Sequence, residues 1–473
     1  MAALILAAFF VVEFAAPARA LPSYARQTGQ PCGTCHTDFA GLTPYGRRFK
    51  INGYTAGGGQ YRTTLFPFDD STKDSKKTWV PPISMMAIIG FTHTQADQPP
   101  PTDPYKPNDN VVVSPLSFFW GGAITDHIGA FAQFTNAGPP PTASIGNDPY
   151  VHNWTWDNTD IRFADSTSIG KFDITYGITA NNSPTVQDPW NTTPAWGFPY
   201  AASTIAPTPA AGTIIDGAFA AHVGSVGAYA YINDLLYLEV SAYRTLSPNA
   251  QNALGTDPFG APGQFDFAPY WRAAFEPHWG DNWLEFGTFG MVADVHPWAA
   301  APCAPATCAP VTTATLPAAD KYSDIGVDAQ YQYQGPNYWF TLRGTYIHEY
   351  QKLDATFNAG GSANPTNTLN EAKAYASLAY GNNNRIVLTG QYFKTWGSPD
   401  PVLYSGLASG FSPNSDGWIA EIAYIPFISS FAPGWPWFNT RIGLQYTWYN
   451  KFDGTSVGAS SNNTLFAYIW LAM

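Results

Sequence analysis

The 473-residue chain is poor in charge, because Asp, Glu, Lys and Arg together make up only 12% of it. That share is about half of the roughly 25% found in soluble globular domains. The sequence after residue 20 also lacks any run of about 18 apolar residues, which excludes a transmembrane helix there. Basic residues are few, and the formal net charge of −12 argues against a nucleic-acid partner.

Aromatic residues, by contrast, are abundant at 16% of the chain, as are glycine and proline. This composition favours a transmembrane β-barrel, whose lipid-facing surface excludes charge and whose rims carry aromatic girdles. The alternative is a soluble, secreted all-β enzyme. A propeller of that kind would repeat every 40–50 residues or so, and the sequence shows no such period.

Apolar and polar residues alternate along much of the sequence from residue 82 onward. Clear examples are the stretches 171–179, 385–392 and 439–448. A period of two predicts strands with one apolar and one polar face. In an outer-membrane barrel the apolar face meets lipid and the polar face lines the lumen.

Connections between these predicted strands alternate in length, as do the short periplasmic turns and long external loops of outer-membrane barrels. Short ones are expected at 125–128, 165–170, 233–234, 278–282, 334–337 and 381–384, with a longer turn at 426–436. Long ones are expected at 95–110, 138–149, 181–212, 247–264, 296–320, 352–367, 397–414 and 451–461. We therefore predict about sixteen antiparallel strands, with 465–473 as the last. The stretch 213–232 is predicted as one long strand, and the alternative is a turn near Gly224-Ser225 that would change the strand count.

The first twenty residues resemble a secretory signal peptide. An apolar run at 2–12 is followed by Ala18-Arg19-Ala20, an A-x-A type of cleavage site. Export agrees with a second feature, the pair Cys303 and Cys308 in a stretch rich in Pro, Ala and Thr. We expect these two cysteines to form a small loop disulfide in an oxidising compartment.

The remaining cysteines lie in Cys32-Gly33-Thr34-Cys35-His36, the C-x-x-C-H signature of c-type haem attachment. A chance pair, a disulfide and a zinc knuckle are the alternatives. A zinc site needs further ligands nearby, and no Cys or His lies between His36 and His93. We expect one covalently bound haem c, held by thioethers from Cys32 and Cys35.

The predicted haem segment spans residues 21–78 and precedes a barrel of residues 79–473. Domains below about 70–80 residues rarely supply a sufficient core of their own. We therefore expect this segment to enter from the periplasmic side and to pack inside the lumen.

In this layout the chain resembles the fused monohaem cytochrome–porin proteins in the outer membrane of iron-oxidising bacteria. The resemblance is carried by Pro31-Cys32-Gly33-Thr34-Cys35-His36 and Gly41-Leu42-Thr43-Pro44-Tyr45-Gly46-Arg47-Arg48-Phe49-Lys50. It implies oxidation of extracellular Fe(II) and electron transfer to a periplasmic cytochrome c or blue-copper protein. A transport channel with the haem segment as its plug or redox gate is the alternative.

His36 is the expected axial ligand of the haem iron. No Met or His lies between His36 and Met85, so a second ligand would come from a barrel strand, or the iron is five-coordinate or water-bound. Strand parity puts Met86 in the lumen, where it is a candidate second ligand or an ordinary packing residue. Further candidates are His222 and Met291 by parity, and His127 and His278 in predicted turns.

Arg47, Arg48 and Lys50 form a basic cluster just after the C-x-x-C-H motif. Arg47 and Arg48 are candidates for contact with the haem propionates, since guanidinium groups match carboxylates well. The alternative is a solvated turn or pairing with acidic lumen residues such as Glu285, Asp324, Asp328 and Glu371.

Overall fold

The computed structural model describes residues 21–64, 76–99, 105–136, 154–297, 319–407, 411–429 and 434–473. Sixteen antiparallel strands dominate this part of the chain. They are β1 Ile83–Thr94, β2 Asn110–Ala123, β3 Ile128–Asn136, β4 Thr155–Ile169, β5 Phe172–Asn181, β6 Val223–Ile232, β7 Leu236–Thr245, β8 Ala268–Phe275, β9 Asn282–Pro297, β10 Asp320–Gln334, β11 Tyr338–Lys352, β12 Thr366–Tyr380, β13 Arg385–Gly397, β14 Ser415–Ile425, β15 Asn439–Lys451 and β16 Thr464–Ala472. Two-residue strands at Gly263–Gln264 and His278–Trp279 extend the sheet locally.

The strands close into a barrel, because each pairs with its neighbours in sequence and β1 pairs with both β2 and β16. At the closure Gly90 lies opposite Tyr468, and Met86 lies opposite Ala472. The predicted all-β barrel of about sixteen antiparallel strands is confirmed. No helix among the described residues is long and apolar enough to cross a membrane.

Burial alternates along the strands as the sequence pattern predicts. In β13, Arg385, Thr389 and Gln391 are buried, whereas Ile386 and Leu388 are half exposed. The outer surface is thus apolar and the inner surface polar, which is the arrangement of an outer-membrane barrel. Exposed Trp and Tyr side chains include Trp120, Trp156, Trp279, Tyr350, Tyr380 and Trp418.

Short connections gather at one end of the barrel and long ones at the other, as predicted. The short-turn end carries the connections 124–127, 170–171, 233–235, 276–281, 335–337, 381–384 and 426–438. Both the start of β1 and the end of β16 lie at this end. The opposite, long-loop end includes residues 182–222 between β5 and β6, a connection that we call the lumen loop because much of it is buried inside the barrel.

The prediction of one long strand over 213–232 is wrong, since β6 begins only at Val223. Ile214–Ala218 instead forms a helical turn. Positive φ angles at Gly217 and Ala221 interrupt an extended backbone there. The strand count is unaffected, because this turn belongs to the lumen loop.

The described residues include five short α-helices: α1 Pro22–Thr28, α2 Cys32–Cys35, α3 Pro44–Ile51, α4 Pro248–Ala253 and α5 Asp354–Asn358. The first three belong to the N-terminal segment, residues 21–64. This segment lies inside the barrel, since it bonds to strands all around the wall: Tyr24 Oη donates to the Ala130 carbonyl of β3 (2.8 Å) and Tyr229 Oη of β6 donates to the Ile51 carbonyl (2.6 Å). The predicted signal peptide, residues 1–20, falls outside the described residues.

An arginine at the middle of the outer face should destabilise the barrel in lipid. Val327 lies half exposed at the centre of β10, and Val327→Arg is expected to cost about 2–4 kcal/mol at the bilayer midplane. Urea unfolding of protein folded into phospholipid vesicles would measure the change. Val457→Arg is the matched control, because Val457 is exposed in the long loop after β15 and its substitution should change stability by less than about 1 kcal/mol.

Candidate functional site

The C-x-x-C-H motif folds as one helical turn. Pro31 precedes α2 in an extended conformation, and the amide of His36 donates to the Cys32 carbonyl (2.9 Å). His36 itself is extended and ends the turn. Cys32 and Cys35 both carry thiols rather than a disulfide. The turn therefore brings two sulfurs and one imidazole to neighbouring positions.

The barrel wall holds this turn at the short-turn end. The Gly33 amide donates to the Ile428 carbonyl (3.0 Å) in the connection between β14 and β15. Arg385, the first residue of β13, donates through Nη1 to the carbonyl oxygens of His36 (2.7 Å) and Thr37 (2.6 Å). The motif is thus fixed to the barrel wall through one strand residue and one residue of a connection.

Helix α3 packs directly on the motif. Thr43 caps α3, since its Oγ1 accepts from the Gly46 amide (3.2 Å) and donates to the Thr34 carbonyl (2.5 Å). The Thr43 amide donates to the Cys35 carbonyl (2.9 Å). A Cβ at Gly46 would overlap that same carbonyl, so only glycine permits the close approach.

A cavity of about 470 Å³ lies beside the motif and is lined by Cys32, Cys35 and His36. Its volume falls within the roughly 300–1,000 Å³ of small-molecule and cofactor sites. Most of the wall is apolar or aromatic, with contributions from both the N-terminal segment and the barrel. Large lining side chains include Tyr24, Phe49, Met86, Phe119, Phe131, Trp196 and Trp470.

Burial keeps the ligand groups of the motif uncharged. It lowers the pKa of His36 to about 4, opposed by the Asp38 carboxylate and the Gly41 backbone and assisted by Arg385. Burial also raises the pKa of the Cys35 thiol to about 12. Neutral imidazole is the form of histidine that binds a metal ion, so His36 is in its ligating form at neutral pH.

These residues fit a covalently attached haem. Two thiols and a neutral imidazole border one apolar cavity, which is the donor set that the C-x-x-C-H signature requires. Trp470 adds an indole Nε1 that is buried without a hydrogen-bond partner among the described residues. That donor would suit a polar group of a bound cofactor.

Lys50 is the basic residue that lines the cavity in the described part of the chain. Its Nζ donates to the carbonyl oxygens of Val186 (2.7 Å) and Asp188 (2.9 Å) in the lumen loop, and lies 5.4 Å from the centre of the Trp196 ring. Burial lowers the pKa of Lys50 to about 7, with a further lowering from Arg162 and an opposing effect of nearby carboxylates. Lys50 belongs to the basic cluster recognised in the sequence, but only the structure shows that Lys50, and neither arginine, lines the cavity.

Arg47 and Arg48 lie away from the cavity wall, against the expectation that they meet haem propionates. Arg47 is fully buried in an ion pair with Glu276, and its Nη1 also donates to Gln332 of β10. Arg48 pairs at 2.9 Å with Asp234, and both side chains are about half exposed. The alternative of pairing with acidic residues holds for both arginines, although with partners other than those predicted.

Glu285, Asp324, Asp328 and Glu371, proposed as partners of those arginines, have other contacts. Glu285 and Asp328 both pair with Arg272 of β8. Three carboxylates on adjacent strands accept consecutive amides of the lumen loop: Glu371 from Thr213 (2.5 Å), Glu349 from Ile214 (2.6 Å) and Asp324 from Ile215 (3.0 Å). They anchor the lumen loop rather than the haem segment.

The other sequence candidates do not reach the cavity. His222 precedes β6 at the long-loop end, where its Nδ1 lies 2.8 Å from Gln251 Oε1. Met291 is fully buried in an apolar cluster with Phe219 and Phe289. His127 and His278 lie at the short-turn end and do not line the cavity. The predicted disulfide between Cys303 and Cys308 lies outside the described residues.

The solved structures to which the chain is similar include bacterial outer-membrane proteins. The loop L8 deletion mutant of OmpT from Vibrio cholerae is 9% identical, with a TM-score of 0.42 over 83% of this chain and 98% of that one. OmpF of Salmonella typhi in complex with daunomycin is 10% identical, with a TM-score of 0.45 over 83% and 97%. An anion-selective porin from Comamonas acidovorans is 10% identical, with a TM-score of 0.41 over 82% and 98%.

No protein-family model matches the chain. No curated protein matches it either. Sequence identities and TM-scores this low do not support a transfer of function from these structures. The barrel is therefore assigned from its own strand pairing and its apolar outer surface.

Removal of Arg47 should destabilise the protein far more than removal of its neighbour. Arg47→Ala leaves Glu276 buried without its partner, at an expected cost of about 3–5 kcal/mol. Arg48→Ala breaks a solvent-exposed pair that contributes about 0–1 kcal/mol. Denaturant unfolding of both variants in detergent micelles would measure the difference, and equal losses would contradict the burial of the Arg47 pair.

Proposed function

We propose that this protein is an outer-membrane c-type cytochrome that oxidises extracellular Fe(II) and passes the electron inward. One haem c would be attached at Cys32 and Cys35, with His36 as an axial ligand. The observation that carries the proposal is the C-x-x-C-H turn, which borders an aromatic cavity inside a barrel and is fixed to the barrel wall. The barrel serves as the missing core of a haem segment that is too short to fold alone.

Each residue of the site has a defined task in this proposal. His36 presents a neutral imidazole, and Arg385 orients the backbone of His36 and Thr37. The aromatic wall excludes water. Lys50 lines the cavity and would be the residue that pairs with a propionate, in place of the two arginines. Haem, when bound, supplies a one-electron iron couple whose potential depends on ligation, burial and hydrogen bonding.

The filled lumen supports electron transfer without transport of iron. The N-terminal segment and the lumen loop occupy the interior, and large side chains such as Trp190, Arg162 and Arg272 are less than 2% exposed there. These closely packed groups hinder the passage of a metal ion, whereas electron transfer requires no open channel. Ferric products would then stay outside the cell, which suits an oxidase of extracellular iron.

The place of the motif within the barrel supports a periplasmic acceptor. Gly33 and Arg385 tie the motif to connections at the short-turn end, which faces the periplasm in outer-membrane barrels. A cytochrome c or blue-copper protein docking at that end would approach the haem more closely than any molecule at the long-loop end. The identity of Fe(II) as the donor rests on the resemblance of the N-terminal motif alone.

A porin-like transport channel is the second candidate. The observation in its favour is the closed sixteen-stranded barrel with short turns at one end, long loops at the other and one loop folded inward. This is the general architecture of diffusion porins. In that case the N-terminal segment would act as a plug and the haem as a gate.

Rapid mixing of the purified holoprotein with Fe(II) tests the proposed oxidase. We expect the haem absorption bands of the wild type to convert to the reduced form. His36→Ala should lose the absorption spectrum of a histidine-ligated haem. The double variant Cys32→Ser/Cys35→Ser should carry no covalent haem on a denaturing gel. A wild-type haem that dithionite reduces but Fe(II) does not would contradict the oxidase.

Liposome swelling separates the oxidase from the channel. Vesicles containing the holoprotein should exclude small sugars, because the N-terminal segment and the lumen loop fill the interior. Vesicles that contain a general diffusion porin are the positive control and should admit them. Free passage of sugars through the intact holoprotein would favour the channel.

A further inference from the structure

We propose that the thioether of Met86 is the second axial ligand of the haem iron. This inference rests on the proposed attachment of haem at Cys32 and Cys35. Met86 lies on the inner face of β1, is 8% exposed and lines the same cavity as His36. One imidazole and one thioether thus line the same cavity, and these two groups are the pair of ligands found in many c-type cytochromes.

Strand register brings Met86 toward the motif through one aromatic side chain. Met86 is paired with Ala472 across the barrel closure, and Ile88 is paired with Trp470. Residues paired across a ladder have Cβ atoms about 4.5–5.5 Å apart. Trp470 in turn contacts Phe39, three residues after His36, with ring centres 5.6 Å apart. Trp470 also packs against the apolar clusters that contain Cys32 and Met86.

The other side chains of the cavity that are able to ligate iron have polar partners already. Lys50 donates to two carbonyl oxygens of the lumen loop. Tyr24 donates to the Ala130 carbonyl, and Tyr54 donates to Asp160 Oδ2 (2.7 Å). Tyr200 accepts from Arg343 (2.6 Å). Recruitment of any of these would break a buried hydrogen bond, whereas a thioether has none to lose.

Met85 also borders the cavity, but the alternation of side chains along β1 favours Met86 as the residue that faces it. Side chains alternate across a strand, so Met85 belongs to the outer face of β1 if Met86 belongs to the inner one. The burial pattern agrees, since Met85 is only partly buried between the buried Ser84 and Met86. Apart from His36, no histidine of the described residues lines the cavity.

Ligation by Met86 has a consequence for the redox chemistry. A methionine ligand raises the reduction potential of a haem. The surroundings of Met86 act in the same direction, because Phe49, Phe119 and Phe131 exclude water from the site. A high potential suits a haem that takes electrons from ferrous iron.

The test uses Met86→Leu and, as a control, Met291→Leu in the full-length holoprotein, because Met291 is buried in a separate apolar cluster and does not line the cavity. Leucine nearly conserves the volume of methionine, so both variants should fold. Met86→Leu should lose the far-red charge-transfer band of methionine-ligated ferric haem, bind carbon monoxide in the ferrous state and show a lower midpoint potential. Met291→Leu should keep the wild-type band and potential. Met86→His should restore a low-spin spectrum at a potential below that of the wild type.

The outcomes distinguish this inference from the proposed function. A wild type that carries covalent haem but whose spectrum and potential are unchanged by Met86→Leu would overturn only the ligand assignment. Equal changes in Met291→Leu and Met86→Leu would also overturn it, since a general effect of altered packing would then explain both. A wild type without covalent haem on a denaturing gel would overturn the proposed function itself.

Discussion

The polar inner face of the closed barrel needs hydrogen-bond partners wherever water is excluded, and the N-terminal segment and lumen loop supply them. Arg441 of β15 pairs with Asp38 of the segment and with Glu421 of β14. Arg272 of β8 pairs with Asp188 of the lumen loop (3.4 Å), Glu285 and Asp328. Buried charges persist only when paired. The segment therefore stabilises the wall as much as the wall stabilises the segment, and the cavity lies at their junction.

The strands were predictable because one face meets lipid and the other meets polar groups, so a period of two appears directly in stretches such as 385–392 and 439–448. The same period of two led to the wrong prediction of one long strand over 213–232. Its first half is apolar because it packs inside the lumen, where Ile214 and Ile215 contact buried side chains of β9 to β11 rather than lipid. Alternation cannot distinguish these two apolar environments, and the turn that the structure shows at Ile214–Ala218 precedes the one considered at Gly224-Ser225.

The candidate site was predictable in part. The C-x-x-C-H motif is local, and its spacing carries its chemistry without knowledge of the fold. The roles of the basic cluster were not predictable, because helix geometry points Arg47 at Glu276 and Lys50 at the cavity although they are one turn apart. Parity alone placed Met86 inside, since β1 is regular at that position. The sequence indicates only that Arg385 is a polar strand residue. Its contact with the motif can be recognised only from the tertiary structure.

Closure of the barrel at the pairing of β1 with β16 has a consequence for how the protein is made. The segment that carries Cys32 and Cys35 precedes β1 in the chain and ends up surrounded by all sixteen strands. An enzyme that joins a porphyrin to those thiols needs access to both, and the finished lumen denies it that access. Under the proposed function, haem attachment would therefore precede assembly of the barrel and take place on the unassembled chain in the periplasm. Membrane insertion would follow, and the strands would close around a segment to which haem is already attached.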